Sequence, residues 1–261
     1  MKLLRTILKS IDVAFSIYSK IPMPKFDWAS DDMKYHLCFF PLIGAVIAAL
    51  EWGLFCLFQA ELFGRAFFVL FAFALPLLVT GGFHVDGFMD TMDALHSYQP
   101  REKKLEILKD PHIGAFAVIS LLVYALLALA FLSEIDGKEA VAAAAASFVV
   151  SRALSGIAVT CFPKAKKDGM LSTAAETENR KVVLISLVIQ FCGAAAFMFF
   201  ASGVLYCAAS LGAVMLFFVW FYFMSRREFG GVTGDLCGFF VTVSELVALA
   251  AVSVCCIFAG N

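Results

Sequence analysis

The chain has 261 residues, 62% hydrophobic and only 16% charged, with 29 Phe and a mean hydropathy of +0.89. A water-soluble domain, which carries roughly 25% charged residues, is excluded by that balance. A net charge of −1 with no basic stripe interleaved with aromatics also excludes a nucleic-acid binder, so the composition points to the lipid bilayer as partner.

The first segment, 1–20, places Leu4, Leu8, Ile11, Phe15 and Tyr18 at helical spacing opposite Lys2, Arg5, Lys9 and Asp12. Polar residues recur within it and no small-residue cleavage site follows, so it reads as an amphipathic helix in the membrane interface rather than a signal peptide. Apolar runs follow at 37–58, 64–82, 113–133, 139–162, 182–202, 204–224 and 237–259. Each is close to the ~20 residues that cross a ~30 Å hydrocarbon core. The expected fold is all-α: a polytopic integral membrane helical bundle of about seven transmembrane helices with an N-terminal interfacial helix. Residues 1–261 form one membrane-embedded catalytic domain in this reading.

Lys and Arg set the orientation. With the N-terminus cytoplasmic, the inner segments 1–36, 83–112, 163–181 and 225–236 hold 6, 4, 5 and 2 of the 20 basic residues. The expected location is therefore the cell inner (cytoplasmic) membrane, multi-pass. The eight cysteines form no C-x-x-C pair and sit in or beside apolar runs, where they pack as small hydrophobes.

The most informative stretch is 80–98, TGGFHVDGFMDTMDALHSY. Gly81-Gly82 breaks the preceding span. Asp86, Asp90 and Asp93 then follow at i, i+4 and i+7, within about a 60° arc of one helix face. Carboxylates about 6 Å apart repel by about 3 kcal/mol per neighbouring pair at an effective dielectric near 20. A solvated acidic face is the plain alternative, but Phe83, Val85, Phe88, Met89 and Met92 make the helix otherwise apolar. A divalent cation resolves the repulsion, and Mg²⁺ is the expected one because it takes oxygen ligands, keeps waters and binds substrate phosphates. Downstream, Arg101, Lys103, Lys104 and Lys109 offer charge to nucleotide phosphates, or simply mark a positive-inside loop; Asp110 and Gly114 follow.

These residues resemble the cobalamin synthase family of adenosylcobinamide-GDP ribazoletransferases. The family signature G-G-x-H-x-D-G-x-x-D-T-x-D-G reads here as Gly81-Gly82-Phe83-His84-Val85-Asp86-Gly87-Phe88-Met89-Asp90-Thr91-Met92-Asp93-Ala94, with Ala94 in place of the last Gly. Similar stretches in the same order are Lys20-Ile21-Pro22-Met23-Pro24, Phe40-Pro41-Leu42-Ile43-Gly44, Leu105 to Asp110 with Gly114-Ala115, and Gly231-Val232-Thr233-Gly234-Asp235 leading to Glu245-Leu246. Within 163–181 only Asp168-Gly169-Met170 is familiar.

The resemblance implies Mg²⁺-dependent joining of adenosylcobinamide-GDP to α-ribazole, or to its phosphate, with release of GMP. Asp86, Asp90, Asp93 and Asp235 are the expected metal ligands, and Asp93 or His84 the expected acceptor of the hydroxyl proton. Arg101, Lys104, Lys109, Asp110, Gly231 and Gly234 are the expected substrate contacts. Gly230 to Gly234 would let backbone N–H groups approach phosphate, or would only close a turn, with Asp235 capping the last span.

Two other readings compete. CDP-alcohol phosphotransferases also align acids on membrane helices, but their D-G-x-x-A-R step is absent. A seven-span transporter would also bury Glu51 and Arg152, yet the acids here gather in a loop rather than along a permeation path. Glu51, Arg152 and Glu245 lie inside apolar runs, where each costs about 2.5–3.5 kcal/mol, so pairing across the bundle is expected.

Overall fold

The computed structural model describes residues 2–24, 30–165 and 179–259. The Asp168-Gly169-Met170 motif lies outside them. Among the described residues every regular element is helical: α1 Lys2–Tyr18, a 3₁₀ segment Ser30–Phe39, α2 Phe40–Gln59, α3 Arg65–Thr80, α4 Phe83–His96, α5 Arg101–Ile107, α6 Ala115–Glu134, α7 Gly137–Cys161, α8 Arg180–Met224 and α9 Gly234–Ala259.

Among the described residues five helices are long and apolar enough to cross a membrane, and α3 with α4 makes a sixth if that bent pair counts as one span. The 45-residue α8 is broken at Gly203 (φ 80°, ψ 172°). A straight helix would separate Ala195 from Cys207 by about 18 Å. Instead the Cys207 thiol lies 3.8 Å from the Ala195 carbonyl. The chain therefore reverses at Gly203 and α8 is a helical hairpin, which adds one pass and brings the bundle to about seven.

Exposure sorts the helices. α6 and α8 turn Ile119, Leu122, Leu126, Ile189, Phe200 and Leu216 outward, as lipid-facing helices do. α7 is the central post, rich in Ala and Ser and buried along most of its length. Small residues bring helices close: Gly44 of α2 rests against the Phe148 carbonyl of α7, and Gly156 against Leu187 of α8. The expected intramembrane pairing is present between Arg152 and Glu245, whose Nη1 and Oε1 are 2.6 Å apart.

The amphipathic α1 presents Leu4 and Leu8 outward. Its other side packs on the 3₁₀ segment through Val13, Ala14 and Met33, with Lys9 Nζ 2.9 Å from Asp32 Oδ2. Asp12, which the periodicity puts on the polar face, is buried by that packing.

Gly81 and Gly82 take φ of +64° and +78°, a conformation L side chains rarely adopt. These two residues bend α4 by 93° from α3. α4 lies over the first turns of α6 and α9, where its Asp93 meets Gly114 and Ala117 and its Gly87 meets Asp235. The N-terminal motif secures the bend: Lys20 N donates to Val79 O at 2.8 Å, and the Lys20 side chain lies across Gly81.

Candidate active site

α4 buries His84, Gly87, Phe88, Thr91 and Ala94, while Asp86 is exposed and Asp90 and Asp93 are half-buried on a different face. The buried face meets α9 so closely that a Cβ on Gly87 would stand 2.7 Å from the Asp235 carbonyl oxygen. A Cβ on Gly238 would stand 3.0 Å from the His84 carbonyl oxygen. Glycine at both crossing points thus brings Asp235, half-buried in the first turn of α9, beside the acids of α4.

The electrostatics record that approach. Asp90 is pushed up to about 6, first by burial and then by the charges of Asp86, Asp235 and Asp93. Among the described residues, however, no three His, Cys, Asp or Glu side chains converge tightly enough to hold a metal ion unaided. The four aspartates are neighbours in charge without forming a closed cage.

Asp93 has a second task that the sequence conceals. Its Oδ2 accepts from Gly114 N at 2.7 Å and its Oδ1 from Ala117 N at 2.8 Å, so it caps the N-terminus of α6 from a separate helix. Gly114 is needed there, because a Cβ would stand 2.6 Å from the carboxylate. His84 turns away from the acids into a nest of rings, with Phe83, Phe40 and Tyr18 at 5.4, 5.5 and 6.4 Å between centroids. Its Nε2 is buried with no hydrogen-bond partner among the described residues, and burial, then the Arg152 charge, holds its pKa well below the usual histidine range.

The basic residues divide. The Arg101 guanidinium lies directly over Gly230, filling the space a side chain would need. Lys104 is buried and paired with Glu228, Nζ to Oε2 at 2.5 Å, which ties α5 to the π-helical turn Ser225–Phe229 ahead of the glycine loop. Lys109 is exposed, and Asp110 pairs with His112 at 2.6 Å.

In the loop, the N–H groups of Gly230, Gly231 and Val232 bond Arg226, Ser225 and Pro163 carbonyls respectively. Those three donors are therefore committed to the protein rather than to a phosphate. Gly231 (φ +155°) is pressed against the 163–165 backbone, which pairs with the loop through a parallel Lys164–Val232 bridge. Thr233, not Asp235, caps α9, its Oγ1 accepting from Leu236 N at 3.2 Å. Gly234 is exposed at the first position of α9.

The family model described as Cobalamin-5-phosphate synthase matches residues 10–253. A Lachnoclostridium phytofermentans protein named adenosylcobinamide-GDP ribazoletransferase is 42% identical over 245 residues, covering 94% of this chain and 93% of its own. Proteins of the same name from Desulfitobacterium hafniense (30% identical, 93% and 95% covered) and Clostridium perfringens strain 13 (27% identical, 92% and 96% covered) are also similar. No solved structure matches. A family match across nearly the whole chain, together with aspartates held on two helices by glycine contacts, shows that the chain belongs to the cobalamin-5-phosphate synthase family.

Proposed function

We propose that the protein joins adenosylcobinamide-GDP to α-ribazole, or to its phosphate, releasing GMP. A ribose hydroxyl oxygen attacks the phosphorus attached to cobinamide. The new P–O bond forms as the bond from that phosphorus to the bridging oxygen breaks, and GMP leaves with the bridging oxygen and its electron pair. The observation that carries this reading is the Gly87 to Asp235 contact, which sets acids of α4 and α9 against one another. Membership of the family disfavours both the CDP-alcohol phosphotransferase and the transporter.

The residues fit Mg²⁺. The donor set is carboxylate oxygen only, and the open arrangement suits an ion that keeps waters and completes its shell with substrate phosphates. Bound there, the ion neutralises the phosphoryl oxygens and the departing phosphate. Asp86 and Asp90 of α4 and Asp235 of α9 would hold it, together with waters and substrate phosphates. Asp93 fixes α4 on the α6 terminus and keeps one lone pair on each oxygen, so it can also take the hydroxyl proton; His84, facing the rings, is a structural residue in this scheme. Arg101 is the phosphate contact, whereas the Lys104 amine is committed to Glu228. Lys109, Asp110 and Gly234 are exposed, and Gly231 shapes the loop. The 17 basic residues in the inner segments support placing this face, and the N-terminus, in the cytoplasm.

The test is GMP release by purified protein supplied with both substrates. Chelation is expected to abolish release, and Mg²⁺ to restore it. Undiminished release after exhaustive chelation would refute metal dependence. No release under any condition would refute the assigned reaction.

A further inference from the structure

The open side of α4 carries more than acids. At 100° per residue, His96 stands about 60° from Asp93 and about 80° from Asp86, so it borders the aspartates. Its ring stacks on Phe116 of α6, with 5.1 Å between centroids and 12° between planes, and its Nδ1 donates to the Met92 carbonyl at 2.8 Å. The pair is not closed over: Phe116 is 46% exposed, His96 is half-buried, and Ile113, three residues before Phe116, is exposed. Phe116 stands in the same first turn of α6 whose N–H groups bond Asp93. Asp93 therefore fastens α4 to α6 beside two rings that still present an open face.

We infer that the His96–Phe116 pair holds the planar heteroaromatic base of the acceptor, α-ribazole or its phosphate, as a further ring on the stack. The inference rests on the proposed reaction, in which Asp93 takes the proton of the attacking hydroxyl. Side chains three apart on a helix stand about 5–6 Å apart at Cβ, about the span of one sugar ring. A nucleoside whose hydroxyl meets Asp93 thus brings its base to His96. The direction of attack agrees, because in-line displacement sets the attacking and leaving oxygens on opposite sides of the phosphorus. Asp235 and the Gly230 loop beneath Arg101 border the acids on the α9 side, which suits the departing GMP. The ring pair borders them on the α6 side, which suits the acceptor. Stacking on a π-face needs no hydrogen-bonding edge, so it serves a base with an apolar rim.

The test uses the full-length protein in nanodiscs. Phe116→Leu is expected to raise KM for α-ribazole about tenfold and to leave KM for adenosylcobinamide-GDP within about twofold, since base–aromatic stacking is lost to one substrate only. His96→Leu is expected to repeat that loss, and His96→Phe, which keeps a ring, to retain the wild-type KM. Equal rises for both substrates, or a rise for neither, would overturn the inference. So would a His96→Phe variant as impaired as His96→Leu, because the imidazole rather than a ring face would then be the group that matters. In the unmodified protein, α-ribazole is expected to slow diethylpyrocarbonate modification of His96, read by peptide mass spectrometry, while GDP does not. Protection by GDP in place of α-ribazole would assign the stack to guanine and overturn the inference, even if the variants fail to fold. GMP release by the wild type is measured first. Its absence would refute the reaction and the inference with it, whereas release without the KM split would refute the ring pair alone.

Discussion

Asp90→Asn is expected to lower GMP release by about a thousandfold or more while the protein remains folded. Asp90 stands between Asp86 and Asp93 on α4 and faces Asp235 of α9, so it feels all three charges. The amide keeps the shape but removes the negative charge and is a poorer ligand for a hard cation. Losing the several kcal/mol of charge stabilisation that a metal gives to phosphoryl transfer, about 4 kcal/mol, corresponds to about 10³ in rate. Stability moves the other way. Burial and like charges push Asp90 up to about 6, so an uncharged side chain relieves repulsion in metal-free protein. Single-turnover GMP release and a melting curve without Mg²⁺ check the two halves: near-normal turnover would remove Asp90 from the site, and a large melting loss would make it a structural residue.

Arg152→Met is expected to produce the largest loss of stability, about 3–5 kcal/mol, because it leaves Glu245 buried without its cation. The guanidinium also lies 6.0 Å from the ring centroids of Phe40 and Phe148, so it ties α2 to α7 as well as α7 to α9. Replacing both partners, in Arg152→Met with Glu245→Leu, is expected to recover most of the loss, since neither charge then remains unmatched. Denaturant titration of the wild type, both single variants and the double variant measures the coupling. Additive losses would show that the pair does not act as a unit.

Much of the fold was legible because membrane constraints act locally. Apolar runs of span length, Gly81-Gly82 before a helix, and three acids at i, i+4 and i+7 are features of neighbouring residues, and the structure keeps each of them. That Arg152 pairs with a buried acid was also readable, because isolated charges in apolar runs must be matched, but the choice of Glu245 over Glu51 was not. Contacts between distant segments were not readable. Asp93 reaches Gly114 and Ala117 across a turn whose path no periodicity reveals. Lys104 meets Glu228 from 124 positions away, which withdraws an amine that looks available in the sequence. The loop glycines suggested open N–H donors, but carbonyls of the π-helical turn accept from Gly230 and Gly231, and Pro163 accepts from Val232. His84 lies inside the signature, and only packing reveals that it faces Tyr18 and Phe40.

The most direct test replaces Mg²⁺ by Mn²⁺ and looks for magnetic coupling between the bound ion and the phosphorus nuclei of adenosylcobinamide-GDP. The account requires ³¹P hyperfine coupling in the wild-type protein and its loss in Asp90→Asn and Asp235→Asn. An ion that binds without phosphorus coupling, or a coupling unchanged by both substitutions, would contradict it.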